Sequence, residues 1–432
     1  MGQTLIKNGH VIDPANGRNE RADVLLEEGK IGAISRNMTV EGAELIDAEE
    51  CVVVPGFIDT HTHLRTPGQE YKEDIASGTR AAIRGGYTAV LPMANTQPPI
   101  DNETGIRFIL DQAQTQGVAR VYPVGAITKG LKGDEIAELG LMKRAGACAF
   151  SDDGMPVRSA RVMRFALQYS KMFGVPLSVH EEDPSLTQDG VVNWGRISTK
   201  MGLPGIPAES EVAMVARDLE LCRVIGGHLH IAHVSTARAV HLIREAKAAG
   251  ICVTCEVTPH HLTLTEDLVH ESGYDTNTKM KPPLRTQDDQ RALLSGLKDG
   301  TIDLIATDHA PHSFDDKDKE YLFADFGIVG LETAFALLHD RLVLTQALSL
   351  EKLIEAMTWR PAQVFGLSGG SLSEGVPADI TILSTSDEWA VNPKEFASKS
   401  ANTPLTGWSL TGRVRTVLVD GQVRLRDGAL TC

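Results

Sequence analysis

Between residues 56 and 366 the chain alternates short apolar runs with longer amphipathic stretches. Eight of the apolar runs read as strands: 57–59, 88–92, 120–125, 147–151, 177–179, 229–232, 251–256 and 303–306. Between them, segments such as 75–84, 106–115, 160–172 and 237–248 place apolar residues three and four apart, the helical period. Strand–helix alternation predicts βα units around a parallel sheet, and eight such units predict a (β/α)8 TIM-like barrel, an α/β fold.

The two ends follow another pattern. Residues 5–12 set Asn8-Gly9 between β-formers, which predicts a hairpin, and residues 24–31 repeat the design around Glu28-Gly29. Residues 378–383 and 414–423 do the same at the other end, with Asp420-Gly421 at a hairpin tip. No helical period appears in either segment, and each is too small to bury a core alone. The two ends are therefore expected to pack together as one small β-sandwich domain, residues 1–55 and 367–432, with the barrel, residues 56–366, inserted between them.

The residues just past each strand carry the chemistry. The first run ends in Gly56-Phe57-Ile58-Asp59-Thr60-His61-Thr62-His63-Leu64-Arg65. On a strand, positions i and i+2 share a face, so His61 and His63 can converge on one ion while Thr62 points away. Asn95 comes after the second strand, Asp152 and Asp153 after the fourth, His180 after the fifth, His233 after the sixth, and Asp308 and His312 after the eighth. Taken singly these have ordinary readings: His233 as a core histidine, Asp308 as a helix cap, Asp152-Asp153 as a turn. A barrel gathers the carboxyl ends of its strands at one mouth, and there the set reads as a metal site, since zinc needs several N and O ligands at one point. Either aspartate of the pair could serve.

Composition narrows the function. The formal charge is −15, from 42 Lys+Arg and 57 Asp+Glu, and no basic stripe stands out, which excludes nucleic acid and anionic membrane as expected partners. The first residues, Met1-Gly2-Gln3-Thr4-Leu5-Ile6-Lys7, lack the apolar core of a signal peptide, and no apolar run is long enough to span a bilayer, so a cytoplasmic protein is expected. Six scattered cysteines (51, 148, 222, 252, 255 and 432) read as reduced thiols. Cys252 and Cys255, three apart in a β-like run, face opposite sides and make a poor metal pair.

These residues carry a resemblance over nearly the whole chain. H-x-H after the first strand, single histidines after the fifth and sixth and an aspartate after the eighth resemble the amidohydrolase superfamily of metal-dependent barrel hydrolases. Within it the chain is similar to the bacterial class I dihydroorotases. The local matches are Gly56 to Arg65 with Pro67-Gly68-Gln69-Glu70-Tyr71-Lys72-Glu73-Asp74, Pro92-Met93-Ala94-Asn95-Thr96 and Ser151-Asp152-Asp153-Gly154. They continue with Gly202-Leu203-Pro204-Gly205-Ile206-Pro207, His233-Val234-Ser235-Thr236, Thr258-Pro259-His260-His261 and Thr307-Asp308-His309-Ala310-Pro311-His312.

The resemblance implies two zinc ions per subunit, His61, His63 and Asp308 holding one, His180 and His233 the other, and Asp153 bridging. Many superfamily members bridge with a carboxylated lysine, and residues 147–154 contain none. It further implies reversible cyclisation of N-carbamoyl-L-aspartate to dihydroorotate, with Asp308 moving the proton. Arg65 has a fork suited to a carboxylate, and by the same resemblance Asn95 and His312 would join it while Asn277, Phe326 and Gly327 would contact the ring, beside His63. If the first strand continues, Arg65 shares the face of His63. The polar run 312–319 is expected as a lid or a solvated loop, and His260 and His261 as structural. A homo-oligomer and a complex with aspartate carbamoyltransferase are compatible partners. The alternatives are a related cyclic amidase, dihydropyrimidinase- or allantoinase-like, and an inactive scaffold for aspartate carbamoyltransferase.

Overall fold

A computed structural model of the chain describes residues 2–431; Met1 and Cys432 lie outside the described residues. The five other cysteines are free thiols. The barrel strands pair in parallel in the order of the sequence. Phe57–Thr62, Tyr87–Pro92 and Arg120–Val121 form one run, and Val124–Gly125, Ala149–Ser151, Leu177–Val179, Leu229–Ile231, Val253–Val257 and Leu304–Ile305 the other. The single strand expected over 120–125 is split, and its halves pair with different neighbours. Pro123, at the split, has no N–H to give to a ladder. The ring closes where His63 donates its N–H to the carbonyl of His309, 2.9 Å away.

Helices start where a side chain takes up the free N–H groups of the first turn. Asp74 caps Ile75–Arg84, Asn102 caps Glu103–Gln116, Ser159 caps Ala160–Lys171 and Thr236 caps Ala237–Ala248. Their buried faces, such as Ile83 and Ile106, pack on the outside of the strands with Phe57, Val90 and Leu177 in one continuous core. Inside the barrel, Ile58, Leu91, Val124, Ala149 and Leu304 meet Phe365 and close the end away from the site.

The chain ends build two sheets. One runs Lys30–Ser35, Asp23–Glu27, Thr4–Lys7, Glu44–Asp47; the other runs Ala429–Leu430, Gln422–Arg426, Ser409–Val419, Ile380–Ala390, Cys51–Pro55, His10–Asp13, Arg18–Arg21. The antiparallel pairing of Cys51–Pro55 with Ile380–Ala390 joins the two ends. Ile6, Val24 and Ile31 of the first sheet bury against Val53, Ile380 and Leu418 of the second, as in a sandwich.

Two of the expected hairpins form, at Glu28-Gly29 and Asp420-Gly421, with both turn residues at positive φ. The third does not. Thr4–Lys7 and His10–Asp13 belong to different sheets, and the Asn8-Gly9 turn hands the chain from one layer to the other. Asn8 takes φ 65° and anchors its N–H on Asp23, so the turn chemistry is right while the partner strands lie elsewhere. Cys51–Pro55 leads through Gly56 directly into the first barrel strand. A Cβ at Gly56 would lie 2.2 Å from the Thr88 side chain, so this junction accepts only glycine.

Candidate metal centre

The ends of five strands and the turns after them converge. His61 lies near the end of the first strand and His63 comes just after it; Asp153, His180, His233 and Asp308 stand just beyond the fourth, fifth, sixth and eighth. His233 and Asp308 take positive φ, 32° and 50°, which turns both side chains inward at the mouth. Asp153 is central: its carboxylate lies 3.3 Å from His61 Nε2, 3.5 Å from His63 Nε2, 3.6 Å from His180 Nδ1 and 3.4 Å from His233 Nε2. Asp308 lies 3.0 Å from His63 Nε2 and 3.7 Å from His61 Nε2. The choice the sequence left open is made by direction: Asp152 turns away and accepts from the Ile127 and Thr128 amides and the Thr128 hydroxyl.

The donor set fits metal ions. His61 Nε2 is buried with no hydrogen-bond partner, aimed at the carboxylates of Asp153 and Asp308. His61, His63 and Asp308 form one group of converging ligand atoms, and His61, Asp153 and His233 another. Donor separations of 3.0 to 3.7 Å match the roughly 3.3 Å expected around a tetrahedral ion with bonds of about 2.0 to 2.1 Å. Burial disfavours charge here. It lowers His63 below the ordinary imidazole range, whereas for His61 the carboxylates of Asp153 and Asp308 overcome it and hold the ring well above. Burial pushes Asp308 up instead, but His61 and His63 bring it down to about 2. A further group, His312 with Asp316 and Asp325, is filled by the Lys72 ammonium, 3.2 and 3.3 Å from the two carboxylates.

Partners behind the ligands are not legible in the sequence pattern. Glu256 accepts from His61 Nδ1 at 2.8 Å, Asn95 Oδ1 lies 3.0 Å from His63 Nδ1, and Glu182 stands 3.5 Å from His180 Nε2. The available signal was an acidic residue ending the apolar run 251–256, where burial requires a partner.

Arg65, Asn95, His312, Phe326 and Gly327 line a cavity of about 280 Å³ together with His63, Asp153, His180, His233 and Asp308. The first strand stops at Thr62, so Arg65 does not reach the cavity by continuing the face of His63. It turns in through φ 59°, with Nε donating to Pro311 O at 3.2 Å and Nη2 3.3 Å from His312 Nε2. Arg65 is 9% exposed, and its guanidinium touches Pro311 O and His312 Nε2 while Asp308 and Asp153 act on it electrostatically. Gly327, at φ 136°, leaves room for His312, whose Cδ2 a Cβ would meet at 3.1 Å. Lys281, 2.9 Å from Glu182, also lines this cavity and was not foreseen. Asn277 lines a neighbouring outer cavity of about 490 Å³ that shares His312.

The run after His312 is tied down. Lys317 donates to the carbonyls of Lys279, Asp325 and Gly327, and Lys279 to those of Leu322 and Ala324. His261 bonds Thr258 and Pro282 O, which accounts for it as structural.

A parallel barrel with a histidine and aspartate cluster at the carboxyl ends of its strands defines a metal-dependent barrel hydrolase. The chain belongs to the amidohydrolase family, whose model matches residues 52–424. It is 52% identical over 422 residues to a dihydroorotase of Syntrophotalea carbinolica, covering 98% of this chain and 99% of that protein. A dihydroorotase of Caldanaerobacter subterraneus is 49% identical over 420 residues, 97% of this chain and 96% of that protein. Among solved structures, an L-hydantoinase from Arthrobacter aurescens aligns with a TM-score of 0.90 at 27% identity, over 100% of this chain and 98% of that one. No helix among the described residues is long and apolar enough to cross a membrane.

Proposed function

We propose that this chain is a dihydroorotase, closing N-carbamoyl-L-aspartate to (S)-dihydroorotate and water, and hydrolysing the ring in the reverse direction, as a step of pyrimidine biosynthesis. Relatives of that name are about half identical to it over nearly its full length. The observation that carries the reading to this site is Arg65, a buried cation in the cavity wall with no carboxylate partner. Asp308 and Asp153 attract it electrostatically without touching it, so a substrate carboxylate would supply the direct partner a buried cation needs. Dihydrouracil and allantoin carry no carboxylate, so a dihydropyrimidinase- or allantoinase-like reading leaves Arg65 without a role. An inactive scaffold has no use for a full set of ligands.

In this reading His61, His63 and Asp308 would hold one zinc ion and His180 and His233 a second, with Asp153 as a ligand available to both. Such ions, when bound, acidify a water and polarise a carbonyl oxygen, both of which amide hydrolysis needs. Asp308 faces the cavity and takes one proton from the water as its oxygen adds to the ring carbonyl carbon. It returns that proton to the ring nitrogen as the C–N bond breaks, and the new carboxylate releases the second proton to solvent. Ring closure retraces these steps. Arg65 and His312 hold the substrate carboxylate with Asn95 at the side, and Phe326 and Gly327 bound the ring, with Asn277 on the approach from the outer cavity.

We assign residues 56–366 to the catalytic barrel and residues 1–55 with 367–432 to the β domain. The same reading makes the enzyme cytoplasmic, with a homo-oligomer and a complex with aspartate carbamoyltransferase as candidate associations; gel filtration with and without that enzyme tests both. The central test is a substrate panel run with metal analysis on one sample. Turnover of dihydroorotate is expected, with none of dihydrouracil or allantoin. Metal-replete protein that ignores dihydroorotate and cleaves either of the others would sink the assignment.

A further inference from the structure

The proton transfers assigned to Asp308 use none of the polar groups buried inside the barrel beneath His61. Those groups form one continuous chain. Glu256, 1% exposed, accepts from His61 Nδ1 on Oε1 at 2.8 Å, and from the Thr60 hydroxyl at 2.7 Å and His230 Nε2 at 3.1 Å on Oε2. His230 Nδ1 lies 2.9 Å from Thr254 Oγ1, which lies 2.7 Å from Nε2 of the half-buried His228.

The donors can be assigned all along it. A carboxylate accepts only, so His61 carries its proton on Nδ1 and His230 carries one on Nε2. With that proton on Nε2, Nδ1 of His230 is the acceptor for the Thr254 hydroxyl, whose oxygen accepts from His228 Nε2. Every group between His61 and His228 is satisfied in one direction, so Glu256 cannot turn away or take up a proton without breaking several bonds. With Nδ1 committed to Glu256, Nε2 is the ring nitrogen of His61 left to face a metal ion, and it is the buried atom that has no hydrogen-bond partner. The other histidine of the H-x-H pair differs, because a neutral amide, Asn95, stands behind His63. A carboxylate behind a ligating imidazole fixes its tautomer and strengthens it as a donor, and losing one typically weakens metal binding 10- to 100-fold.

We infer that Glu256 is a positioning residue of the metal centre: it locks His61 as an Nε2 ligand through Nδ1, and the His230–Thr254–His228 chain locks Glu256. The inference rests on the proposed metal site, so the metal affinity of the wild type is measured alongside.

The test is competition with a chromophoric chelator for zinc in wild type, Glu256→Gln and Thr60→Val, together with the d–d absorption of the cobalt-loaded proteins. Glu256→Gln keeps the shape but removes the charge and faces an amide N–H₂ toward donors. It is expected to hold zinc 10- to 100-fold less tightly and to shift the cobalt bands. Thr60→Val removes one donor to Glu256 but keeps its charge, and is expected to stay within about twofold of wild type. Folded Glu256→Gln with wild-type affinity, or an equal loss in both variants, would overturn the inference. Wild type that binds no metal would overturn the metal-site reading itself. Should Glu256→Gln not fold, long-range ¹H–¹⁵N spectra of the zinc-loaded wild type decide: a proton on Nδ1 of His61 supports the lock, and a proton on Nε2 overturns it.

Discussion

Arg65 Nη2 lies 3.3 Å from His312 Nε2, joining a residue after the first barrel strand to one after the eighth. His312 Nε2 also lies 2.8 Å from Phe326 O, and burial, against the pull of Asp325, brings His312 down to about 4, so at neutral pH the ring adds no second positive charge beside the guanidinium. The pair thus offers one cation and a fixed dipole to an anion. Arg65→Ala is expected to lower kcat/KM for dihydroorotate about 10- to 100-fold, mainly through KM, since a charge-assisted pair is worth roughly 1.5 to 3 kcal/mol. Steady-state kinetics check this, and unchanged KM would place the carboxylate receptor elsewhere.

In the proposed mechanism Asp308 serves both as a metal ligand and as the group that moves the proton. Asp308→Asn keeps an oxygen toward His63 but cannot take a proton, so kcat should fall by about 10² to 10⁴. Dihydroorotate affinity, measured by calorimetry on protein of verified metal content, should change only a few-fold. Comparable losses in binding and turnover would argue against the proton role.

Asp152 and Asp153 are adjacent but perform different work. Asp153→Asn should strip metal, seen as a drop in ions per chain by elemental analysis, because its carboxylate faces four histidines. Asp152→Asn should keep the metal and lower the melting temperature, because it loses charge-assisted bonds to the Ile127 and Thr128 amides. The opposite pattern would exchange the roles assigned to them.

Lys317 gives a pH signature away from the metal ligands. Burial, then the charge of Lys279, lowers its pKa from 10.5 to about 7. The unfolded chain keeps this proton up to about 10.5, so unfolding takes up a proton between pH 7 and 10.5. This group therefore makes stability rise with pH across that window and adds no slope below it. Lys317→Met should show a smaller rise in melting temperature from pH 7.5 to 9.5 than wild type, and equal slopes in the two proteins would contradict the shift.

Much of the architecture is written locally. The helices Ile75–Arg84 and Ala237–Ala248 follow from apolar spacing and a capping residue, and the turns at Glu28-Gly29 and Asp420-Gly421 from residues that tolerate positive φ. The order of the site residues along the chain was legible for a similar reason: a parallel barrel puts every strand's carboxyl end on one side, so position after a strand already implies convergence.

The sequence alone therefore determined the strand–helix alternation, the barrel it implies and most of the residues standing at its mouth. Tertiary structure decided which groups are partners and which way they point. It separated the strands flanking Asn8-Gly9 into two sheets, because sheet pairing depends on distant strands and not on the turn. It turned Asp153 into the site and Asp152 out of it, and brought Arg65 to the cavity through a left-handed residue after its strand had ended. It set Glu256 behind His61 across 195 residues of sequence. Periodicity and propensity are properties of neighbours along the chain, whereas a hydrogen bond across the barrel exists only once the ring of strands has closed.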